Sequence, residues 1–339
     1  FESLKSTYFI AEIGVNHNGD IEMAKKLIDK AVECGANAVK FQSYNSEKLA
    51  SKDTPKVKYQ VLNAIDLNES HQDMLKKYEL SEKDHYYLYD YCLSKKIDFL
   101  STPYDVDNAE LLNKINVKMF KIASADIVDY QLHRFISKTS KPVIISTGMS
   151  SIYDIEKALT FYDQKKSSIV LLHCVSNYPC SIEAINLNSI NYLKKHFNLP
   201  IGFSDHSSEN TASILSIALN AKIIEKHFTL DKNLPGPDHK ASADPKELKS
   251  LIIDIRKTEK ILGSYSKSAQ EEELEMRKIS RKSIYLKNDV MKNQTICEED
   301  FILRRPGIGI NPMDYEKIIG RRYLSNLKKG DILNEEDIL

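Results

Sequence analysis

The sequence lacks an excess of either charge, and it lacks any long apolar run. Its 48 lysine and arginine residues equal its 48 aspartate and glutamate residues, so we expect neither a nucleic acid nor an acidic membrane as a partner. No stretch of about eighteen consecutive apolar residues occurs, and the first residues do not follow a signal-peptide pattern. We therefore expect no membrane-spanning segment.

Cysteine motifs are also missing. The five cysteines follow neither the spacing of a metal site nor that of a disulfide framework; they are Cys34, Cys92, Cys174, Cys180 and Cys297. The first three lie in apolar periodic segments, where a thiol usually acts as a small hydrophobic group. No glycine-rich nucleotide loop is present either. These absences favour a reduced, cytoplasmic enzyme.

The chain does contain a regular alternation of short apolar runs and amphipathic segments. Apolar runs predict eight strands, at residues 8–13, 38–42, 97–102, 118–123, 143–146, 169–174, 201–204 and 221–226. Helical spacing predicts eight helices, at residues 21–34, 82–95, 106–115, 131–138, 152–162, 187–197, 210–219 and 245–262. Strands that are apolar on both faces belong to a parallel sheet covered by helices. Residues 1–263 are therefore predicted to form an α/β fold, a (β/α)₈ TIM barrel.

The character of the chain changes after residue 263. Residues 264–282 are polar or charged and predict a linker. Residues 283–339 contain apolar runs at 283–286 and 295–305, separated by Asn, Asp and Gly turns, and predict a small β-rich domain. The loop that begins with Arg304 and Arg305 is its one conspicuous feature. A solvated turn is the simplest interpretation of that loop, and a functional role is the alternative.

Polar and ionisable side chains collect at the carboxyl ends of the predicted strands, where barrel enzymes place their active sites. The set comprises Glu12, Lys40, Gln42, Ser101, Thr102, Lys121, Ser124, Ser146, Thr147, His173, Ser204, His206, Glu225 and His227. A lysine at the end of a strand is costly to bury unless it meets an anion. Lys40 and Lys121, with the hydroxyls, therefore predict a pocket for a small anionic, phosphorylated substrate. For any single member, a hydrogen bond at the rim is the alternative.

Two histidines end neighbouring strands of the predicted barrel. His206 and His227 lie near Asp205 and Asp238 in the sequence, and paired imidazoles beside carboxylates suit a divalent metal with open positions. Their separation in the sequence matches no metal motif, however. Spacing alone favours two separate hydrogen-bonded histidines, and a metal site is the alternative interpretation.

The chain resembles the sialic acid synthase family over nearly its whole length. The matching phrases are AEIGVNHNG (11–19), AVKFQ (38–42), FLSTPYD (99–105), FKIAS (120–124), IISTGM (144–149), LLHCVSNYP (171–179), IGFSDH (201–206), IEKHFTLDKNLPGPDHKAS (224–242) and RRPGIGI (304–310). The resemblance implies a barrel followed by a C-terminal antifreeze-like (SAF, β-clip) domain. It also implies an enzyme that condenses phosphoenolpyruvate with an N-acylated hexosamine and water, forming a nonulosonic acid and releasing phosphate by C–O cleavage.

The same resemblance implies roles for individual residues. The phosphoenolpyruvate ligands are expected to be Lys40, Thr102, Lys121, Ser124, Ser146 and Ser204. His206 and His227 are expected to hold a divalent metal, Mn²⁺ first and Mg²⁺ or Co²⁺ as alternatives. Glu12 is expected to orient or deprotonate the attacking water. The sugar contacts are expected to be Gln42, Asp126, Tyr178, Asp238 and, from the other subunit of a homodimer, Arg305.

Departures from the family's sialic acid members lie where the sugar is expected. Residues 124–126 read Ser-Ala-Asp instead of Ser-Gly-Glu, and residues 175–177 also differ. The first candidate sugar is N-acetylmannosamine, which gives N-acetylneuraminate. The alternative is a diacetamido-trideoxyhexose, which gives a legionaminic or pseudaminic acid. A metal-dependent pyruvate aldolase and a catalytically silent carbohydrate-binding or spore-coat protein are the competing classes.

Overall fold

The structure, a computed structural model, describes residues 4–51, 54–56, 69–163 and 168–339. The polar segment 44–70 lies partly outside these described residues. The chain forms two compact units, Phe1–Gly263 and Ser264–Leu339.

The first unit is built on a parallel sheet of eight strands. These are β1 (Tyr8–Gly14), β2 (Ala38–Ser43), β3 (Asp98–Pro103), β4 (Phe120–Ile122), β5 (Val143–Ser146), β6 (Ile169–Cys174), β7 (Ile201–Asp205) and β8 (Ile223–His227). Their order in the sheet is β3-β2-β1-β8-β7-β6-β5-β4. Strands β3 and β4, at the two ends of that order, also contact each other, so the sheet is nearly closed. The predicted (β/α)₈ barrel is confirmed.

Helices follow the strands, and most of them cover the outside of the sheet, whereas the second and the third line the cavity described below. They are α1 (Ile21–Cys34), α2 (Ser46–Leu49), α3 (His71–Tyr78), α4 (Glu82–Lys95), α5 (Val106–Ile115), α6 (Tyr130–Lys138), α7 (Ile152–Leu159), α8 (Ile182–Ile185), α9 (Asn188–Phe197), α10 (Thr211–Ala218) and α11 (Pro245–Leu262). Local sequence sets their ends. Helix α1 begins where the Asp20 side chain accepts a hydrogen bond from the Glu22 N–H, and it ends at Gly35, whose φ of 90° favours glycine. None of the described helices is both long enough and apolar enough to span a membrane.

Alternate residues of each strand face the barrel interior and the helix layer. The interior holds an apolar cluster of Ile10, Ala38, Leu100, Met119, Ile144, Val170, Leu172 and Ile223. The intervening residues, such as Phe9 and Val39, pack with the helices in a larger cluster. Position 202 requires glycine, because a Cβ there would lie 2.6 Å from the backbone carbonyl oxygen of Ile223. This alternation decides which strand-end side chains can reach the interior.

Four strand-end residues do not line the cavity. Ser101 Oγ lies 2.6 Å from Ser43 Oγ, Thr147 Oγ1 donates to the carbonyl of Leu172 at 2.9 Å, and His173 Nε2 donates to the carbonyl of Ile185 at 2.7 Å. Asp205 pairs with Lys226 on the outer side of the sheet. The interpretation of Ser101, Thr147 and His173 as pocket groups, and of Asp205 as a metal neighbour, is therefore wrong. Each of these residues is one position out of phase with the interior face.

Helices α2 and α3 interrupt the repeat between β2 and α4, in a segment that the sequence predicted only as polar. Helix α3 begins at Ser70, whose side chain accepts a hydrogen bond from the Asp73 N–H. Its buried residues Met74 and Leu75 pack with Tyr44 and other residues in a small cluster separate from the barrel core. The segment thus builds a local apolar surface of its own.

The second unit has its own small core. Strands β9 (Ser283–Leu286) and β10 (Phe301–Arg304) pair antiparallel, and helix α12 (Leu274–Ser280) precedes them. The buried core residues are Ile284, Leu286, Val290, Ile296, Ile310, Ile318, Tyr323 and Leu333. Within the predicted run 295–305, only Phe301–Arg304 is a strand, because residues 298–300 form a 3₁₀ turn.

A buried ion pair joins β7 to β8 on the outer face of the sheet. Lys226 Nζ lies 2.9 Å from Asp205 Oδ2, and the two side chains are 4% and 0% exposed. The pair is fully hydrogen-bonded, because Ser207 and Ser213 donate to Asp205 and backbone carbonyls accept from Lys226. Each partner directly precedes one of the candidate histidines, His206 and His227, so the pair ties together the two strand ends that carry them.

We expect Lys226→Met to lower the free energy of unfolding by about 3–5 kcal/mol, because it leaves Asp205 as an unpaired buried charge. The matched control is Lys257→Met, which removes an exposed ion pair with Asp254 and is expected to cost about 0–1 kcal/mol. Urea unfolding of both variants measures the difference. Equal losses in the two variants would show that the buried pair does not stabilise this part of the barrel.

Candidate active site

A cavity of about 490 Å³ opens at the carboxyl ends of the barrel strands. Its size lies in the usual range for small-molecule sites. It is lined by most of the sequence-predicted site residues: Glu12, Lys40, Gln42, Thr102, Lys121, Ser124, Ser146, Tyr178, Ser204, His206, His227 and Asp238. Asp126 does not line the cavity, and Arg305 belongs to the second unit, where it is exposed.

Two lysines and two glutamates form a buried charge cluster inside the cavity. Lys40 Nζ lies 2.8 Å from Glu12 Oε2 and 3.8 Å from Glu225 Oε2. Lys121 Nζ lies 3.7 Å from Glu225 Oε1. Strand alternation explains the cluster, because each member follows an interior apolar residue by two positions, as Glu225 follows Ile223.

Hydroxyl groups surround the two lysines. Lys121 Nζ donates to Ser146 Oγ at 2.6 Å, and Lys40 Nζ donates to Thr102 Oγ1 at 3.1 Å. Ser124 lines the same cavity. Ammonium and hydroxyl groups are strong donors to carboxylate and phosphate oxygens. The arrangement therefore offers several donors to one small anion.

Burial and charge act in opposite directions on the pKa values of the cluster. Burial raises the pKa of Glu12 above its usual range and outweighs the opposing effect of Lys40. Burial also acts to raise the pKa of Glu225, but Lys121 and Lys40 together outweigh it and hold that pKa below its usual range. Burial lowers the pKa of Lys121, whereas for Lys40 the two glutamates outweigh burial and raise the pKa. Glu12 can thus exchange a proton near neutral pH, while Glu225 stays ionised.

Glu225 is a candidate functional residue to which the sequence analysis assigned no role. It faces both lysines, and its Oε1 accepts a hydrogen bond from Ser204 Oγ at 3.1 Å. The signal was available in the alternation of strand β8. Tyr104 also lines the cavity, and burial raises the pKa of its phenol well above the usual range, so it stays a hydroxyl donor. Tyr104 lies within the matching phrase FLSTPYD, but the sequence analysis assigned it no role.

The two candidate histidines lie close together in the cavity. The ring centroids of His206 and His227 are 5.7 Å apart, and the Tyr178 ring packs against both. His206 Nδ1 donates to the carbonyl of Val175 at 2.7 Å, which leaves Nε2 as the lone-pair nitrogen of the neutral ring. Burial lowers the pKa of both histidines. Neutral imidazoles are the form that binds a metal.

The residues present fit a metal that takes two protein ligands. His227 Nδ1 is buried and has no hydrogen-bond partner among the described residues, and Asp238 Oδ2 lies 3.7 Å from it. Across the described ranges, no group of three or more His, Cys, Asp and Glu side chains is arranged to hold a metal ion. Any metal on His206 and His227 therefore needs water or substrate for its other positions. The Mn²⁺ expectation stays a prediction.

Asp126 lies in the 3₁₀ turn Ala125–Val128, behind the cavity lining. Its Oδ2 is buried without a hydrogen-bond partner in the described part of the chain. Burial, reinforced by the charge of Asp129, raises the pKa of Asp126 to about 7. Its predicted contact with the sugar stays a prediction.

The α2–α3 segment supplies a further part of the lining that the sequence analysis missed. Leu49, Ala50, His71, Met74 and Leu75 all line the cavity. The segment reads as polar overall, and only the spacing of its few apolar residues marked a buried helix face.

Comparisons with known proteins found a matching family, a matching domain and several similar proteins. Residues 27–267 match the NeuB family, and residues 281–339 match the SAF domain. The chain is 42% identical over 341 residues to the N,N'-diacetyllegionaminic acid synthase of Legionella pneumophila, covering 99% of this chain and 96% of that protein. It is 33% identical over 341 residues to the pseudaminic acid synthase of Campylobacter jejuni, covering 99% of this chain and 98% of that protein.

A solved structure supports the same grouping. The N-acetylneuraminic acid (sialic acid) synthetase from Leptospira borgpetersenii serovar Hardjo-bovis, crystallised in complex with citrate, superposes with a TM-score of 0.73 and is 38% identical. The match covers 80% of this chain and 90% of that chain.

The raised pKa of Asp126 predicts a pH-dependent stability. Between its ordinary value of 3.8 and about 7, the folded protein keeps a proton that the unfolded chain releases, so this group makes the free energy of unfolding fall as pH rises. The Asp126→Asn variant has no carboxyl at this position and so lacks this pH-dependent fall in the free energy of unfolding. We expect the variant to gain stability relative to the unmodified protein as pH rises through this window, measured by urea unfolding at several pH values.

The exposed Asp90→Asn variant is the control for the same charge change. Identical pH profiles for Asp126→Asn and Asp90→Asn would show that Asp126 is not held protonated by burial.

Proposed function

The chain belongs to the NeuB family, the sialic acid synthases with a C-terminal SAF domain, and from that premise we propose that it condenses phosphoenolpyruvate with an N-acylated hexosamine and water to give a nonulosonic acid and phosphate. One observation carries the proposal. Lys40 and Lys121 are 4% and 2% exposed, and both face one cavity among hydroxyl donors. Two buried ammonium groups are costly unless an anion is their intended partner.

Phosphoenolpyruvate supplies that anion. Its carboxylate and phosphate would accept hydrogen bonds from Lys40, Lys121 and the hydroxyls around them, which are those of Thr102, Ser124, Ser146 and Ser204. Before binding, Glu12 and Glu225 balance the lysine charges. The incoming anion then competes with these carboxylates for the same donors, so the site keeps its cations in place without a ligand.

The sugar would lie against Gln42, Tyr178 and Asp238, which line the same cavity. C3 of phosphoenolpyruvate attacks the carbonyl carbon of the open-chain sugar, forming a C–C bond and leaving positive charge at C2. Water adds at C2, and its proton passes to Glu12, whose raised pKa suits a proton acceptor near neutral pH. The C2–O bond to phosphate then breaks and the hydroxyl at C2 loses its proton, which leaves a 2-keto acid and free phosphate. The two protons of the water end on the former carbonyl oxygen of the sugar, now a hydroxyl, and on the released phosphate. Glu225 stays ionised and supports the positive charge at C2.

His206 and His227 would hold the divalent metal, which as a Lewis acid polarises the carbonyl oxygen of the sugar. The protein's own contribution there is to keep both imidazoles neutral by burial and to fix the ring of His206 through the carbonyl of Val175.

The similarity to a named N,N'-diacetyllegionaminic acid synthase favours the second of the two candidate sugars, a diacetamido-trideoxyhexose, over N-acetylmannosamine. The direct test incubates the protein with phosphoenolpyruvate, a divalent metal and each sugar in turn, and measures phosphate release and product mass. We expect phosphate and a nine-carbon-backbone keto acid in equal amounts. Condensation with pyruvate instead, and no phosphate from phosphoenolpyruvate, would assign the protein to the aldolase class.

Lys121→Ala is expected to raise the KM for phosphoenolpyruvate by about ten- to a hundredfold, because a charge-assisted hydrogen bond contributes about 1.5–3 kcal/mol. The KM for the sugar should change little. Lys118→Ala is the control, since Lys118 is an exposed lysine three residues earlier in the chain that pairs with Asp98. A larger change in the sugar KM than in the phosphoenolpyruvate KM would mean that the two halves of the pocket are assigned the wrong way round.

His206→Ala and His227→Ala are each expected to abolish phosphate release, and chelation is expected to do the same to the unmodified protein until Mn²⁺ is restored. His196→Ala, which removes a histidine on the outside of the barrel, is the control and should keep full activity. Full turnover by protein that contains no metal by elemental analysis would contradict the metal assignment.

A dimer forms part of the same proposal. We propose that Arg305, an exposed residue of the small unit, reaches the N-acyl group of the sugar bound in the partner's barrel. Mixing unfolded His206→Ala and Arg305→Ala chains and refolding them together tests this. If Arg305 acts in the partner's barrel, each mixed dimer holds one intact site, and random pairing restores about a quarter of all sites. Verified mixed dimers with no more activity than the separate variants would place Arg305 at its own barrel.

A further inference from the structure

The cavity has two chemically different walls. One wall is formed by the strand ends and carries the lysines, glutamates and hydroxyls. The other is formed by the cavity-lining residues of the α2–α3 segment, and we call it the helical wall; they are Leu49, Ala50, Thr54, His71, Met74, Leu75 and Tyr78. The reaction described above needs only the strand-end wall, so the helical wall calls for an explanation of its own.

The helical wall is mainly apolar, and its apolar residues are well packed. Met74 and Leu75 are 5% and 9% exposed, and they pack with Ala50 and Tyr44. The Tyr44 hydroxyl donates to the carbonyl of Leu75 at 3.0 Å, which holds helix α3 against the end of strand β2. The wall is thus a fixed surface, and an apolar surface favours a methyl group over a hydroxyl at the part of the substrate that touches it.

Polar groups of Thr54, His71 and Tyr78 interrupt this surface, and one of them is unpartnered. His71 Nδ1 is buried and has no hydrogen-bond partner among the described residues. Burial lowers the pKa of His71, with the charge of Lys56 adding to the effect, so the ring is neutral. A neutral imidazole nitrogen at the edge of an apolar wall suits a single amide group of a ligand.

Among the described residues, no lysine or arginine lines this side of the cavity. Within the described ranges, the lysines and arginines that line the cavity are Lys40 and Lys121, both on the strand-end wall. The nearby Lys56 pairs with Glu69 at 3.3 Å and does not line the cavity. A phosphate group held against the helical wall would therefore find no partner of opposite charge in the described part of the segment.

We propose that the helical wall determines the specificity for the sugar, because it contacts the end of the sugar that points away from phosphoenolpyruvate. The inference rests on the proposed function and deepens it. The wall selects an unphosphorylated hexosamine that ends in a methyl group and carries a second N-acyl group. Met74 and Leu75 contact the methyl group, and His71 hydrogen-bonds the second amide.

The test compares kcat/KM for three sugars with phosphoenolpyruvate held constant: a diacetamido-trideoxyhexose, N-acetylmannosamine and its phosphorylated form. The unmodified protein is expected to prefer the first over the second by about tenfold or more, the scale of discrimination that apolar pockets achieve. The phosphorylated sugar is expected to be the poorest. A preference for the phosphorylated sugar would overturn the proposal.

Two variants connect the preference to the wall. Met74→Gln keeps the side-chain length but adds a polar amide, and it is expected to reduce the preference for the trideoxyhexose about tenfold. His71→Ala is expected to lower kcat/KM for the diacetamido sugar more than for N-acetylmannosamine. In both variants the KM for phosphoenolpyruvate should stay unchanged, which also shows that the strand-end wall is still folded. Met276→Gln, at an exposed methionine of the second unit, is the control.

The two proposals fail in different ways. If no sugar gives phosphate release, the proposed function fails and this inference fails with it. If phosphate is released but the sugar preference is the same in Met74→Gln, His71→Ala and Met276→Gln, the proposed function stands and the helical wall does not determine specificity. His71→Asn, which keeps a hydrogen-bonding group, replaces His71→Ala if that variant does not fold, and it should preserve more of the preference.

Discussion

The site depends on a balance of buried charges. Two lysines and two glutamates form ion pairs shorter than 4 Å inside the barrel. The interior side chains two positions earlier in the chain belong to an apolar cluster. Each charge alone would be costly there, and together they nearly cancel. The balance lets the barrel fold without a ligand while it keeps two ammonium groups aimed at the cavity. It also separates the pKa values of Glu12 and Glu225, which gives two carboxyls different chemistry in one site.

The alternation of side chains along each strand was the most informative feature of the sequence. It explains which of the polar strand-end residues line the cavity and which do not. The eight apolar runs predicted the barrel, and the polar strand ends predicted the lysines, glutamates and hydroxyls of the cavity lining. Treating every polar strand-end residue as equivalent led to the errors at Ser101, Thr147, His173 and Asp205. Counting in steps of two from interior residues such as Ile223 separates Glu225 and His227 from Lys226 and so identifies the interior face.

Other parts of the site were not accessible from the sequence. The helical wall belongs to a segment that reads as polar, and Met74 and Leu75 reach the cavity only because helix α3 folds back over the strand ends. The role of Glu225 depends on two lysines from distant strands, which no local pattern relates to it. The residues that the resemblance implies as phosphoenolpyruvate ligands all line the cavity. The resemblance did not decide the sugar, because the helical wall lies outside the matching phrases.

The account is tested most directly by the fate of the bridging oxygen of phosphoenolpyruvate. The enzyme would be given phosphoenolpyruvate labelled with oxygen-18 in the bond between C2 and phosphorus, together with the preferred sugar, and the released phosphate would be analysed by mass spectrometry. Addition of water at C2 followed by C–O cleavage, as the Glu12, Lys40 and Lys121 arrangement requires, predicts that the label leaves with the phosphate. Phosphate without the label would mean that the P–O bond breaks, and it would contradict the mechanism.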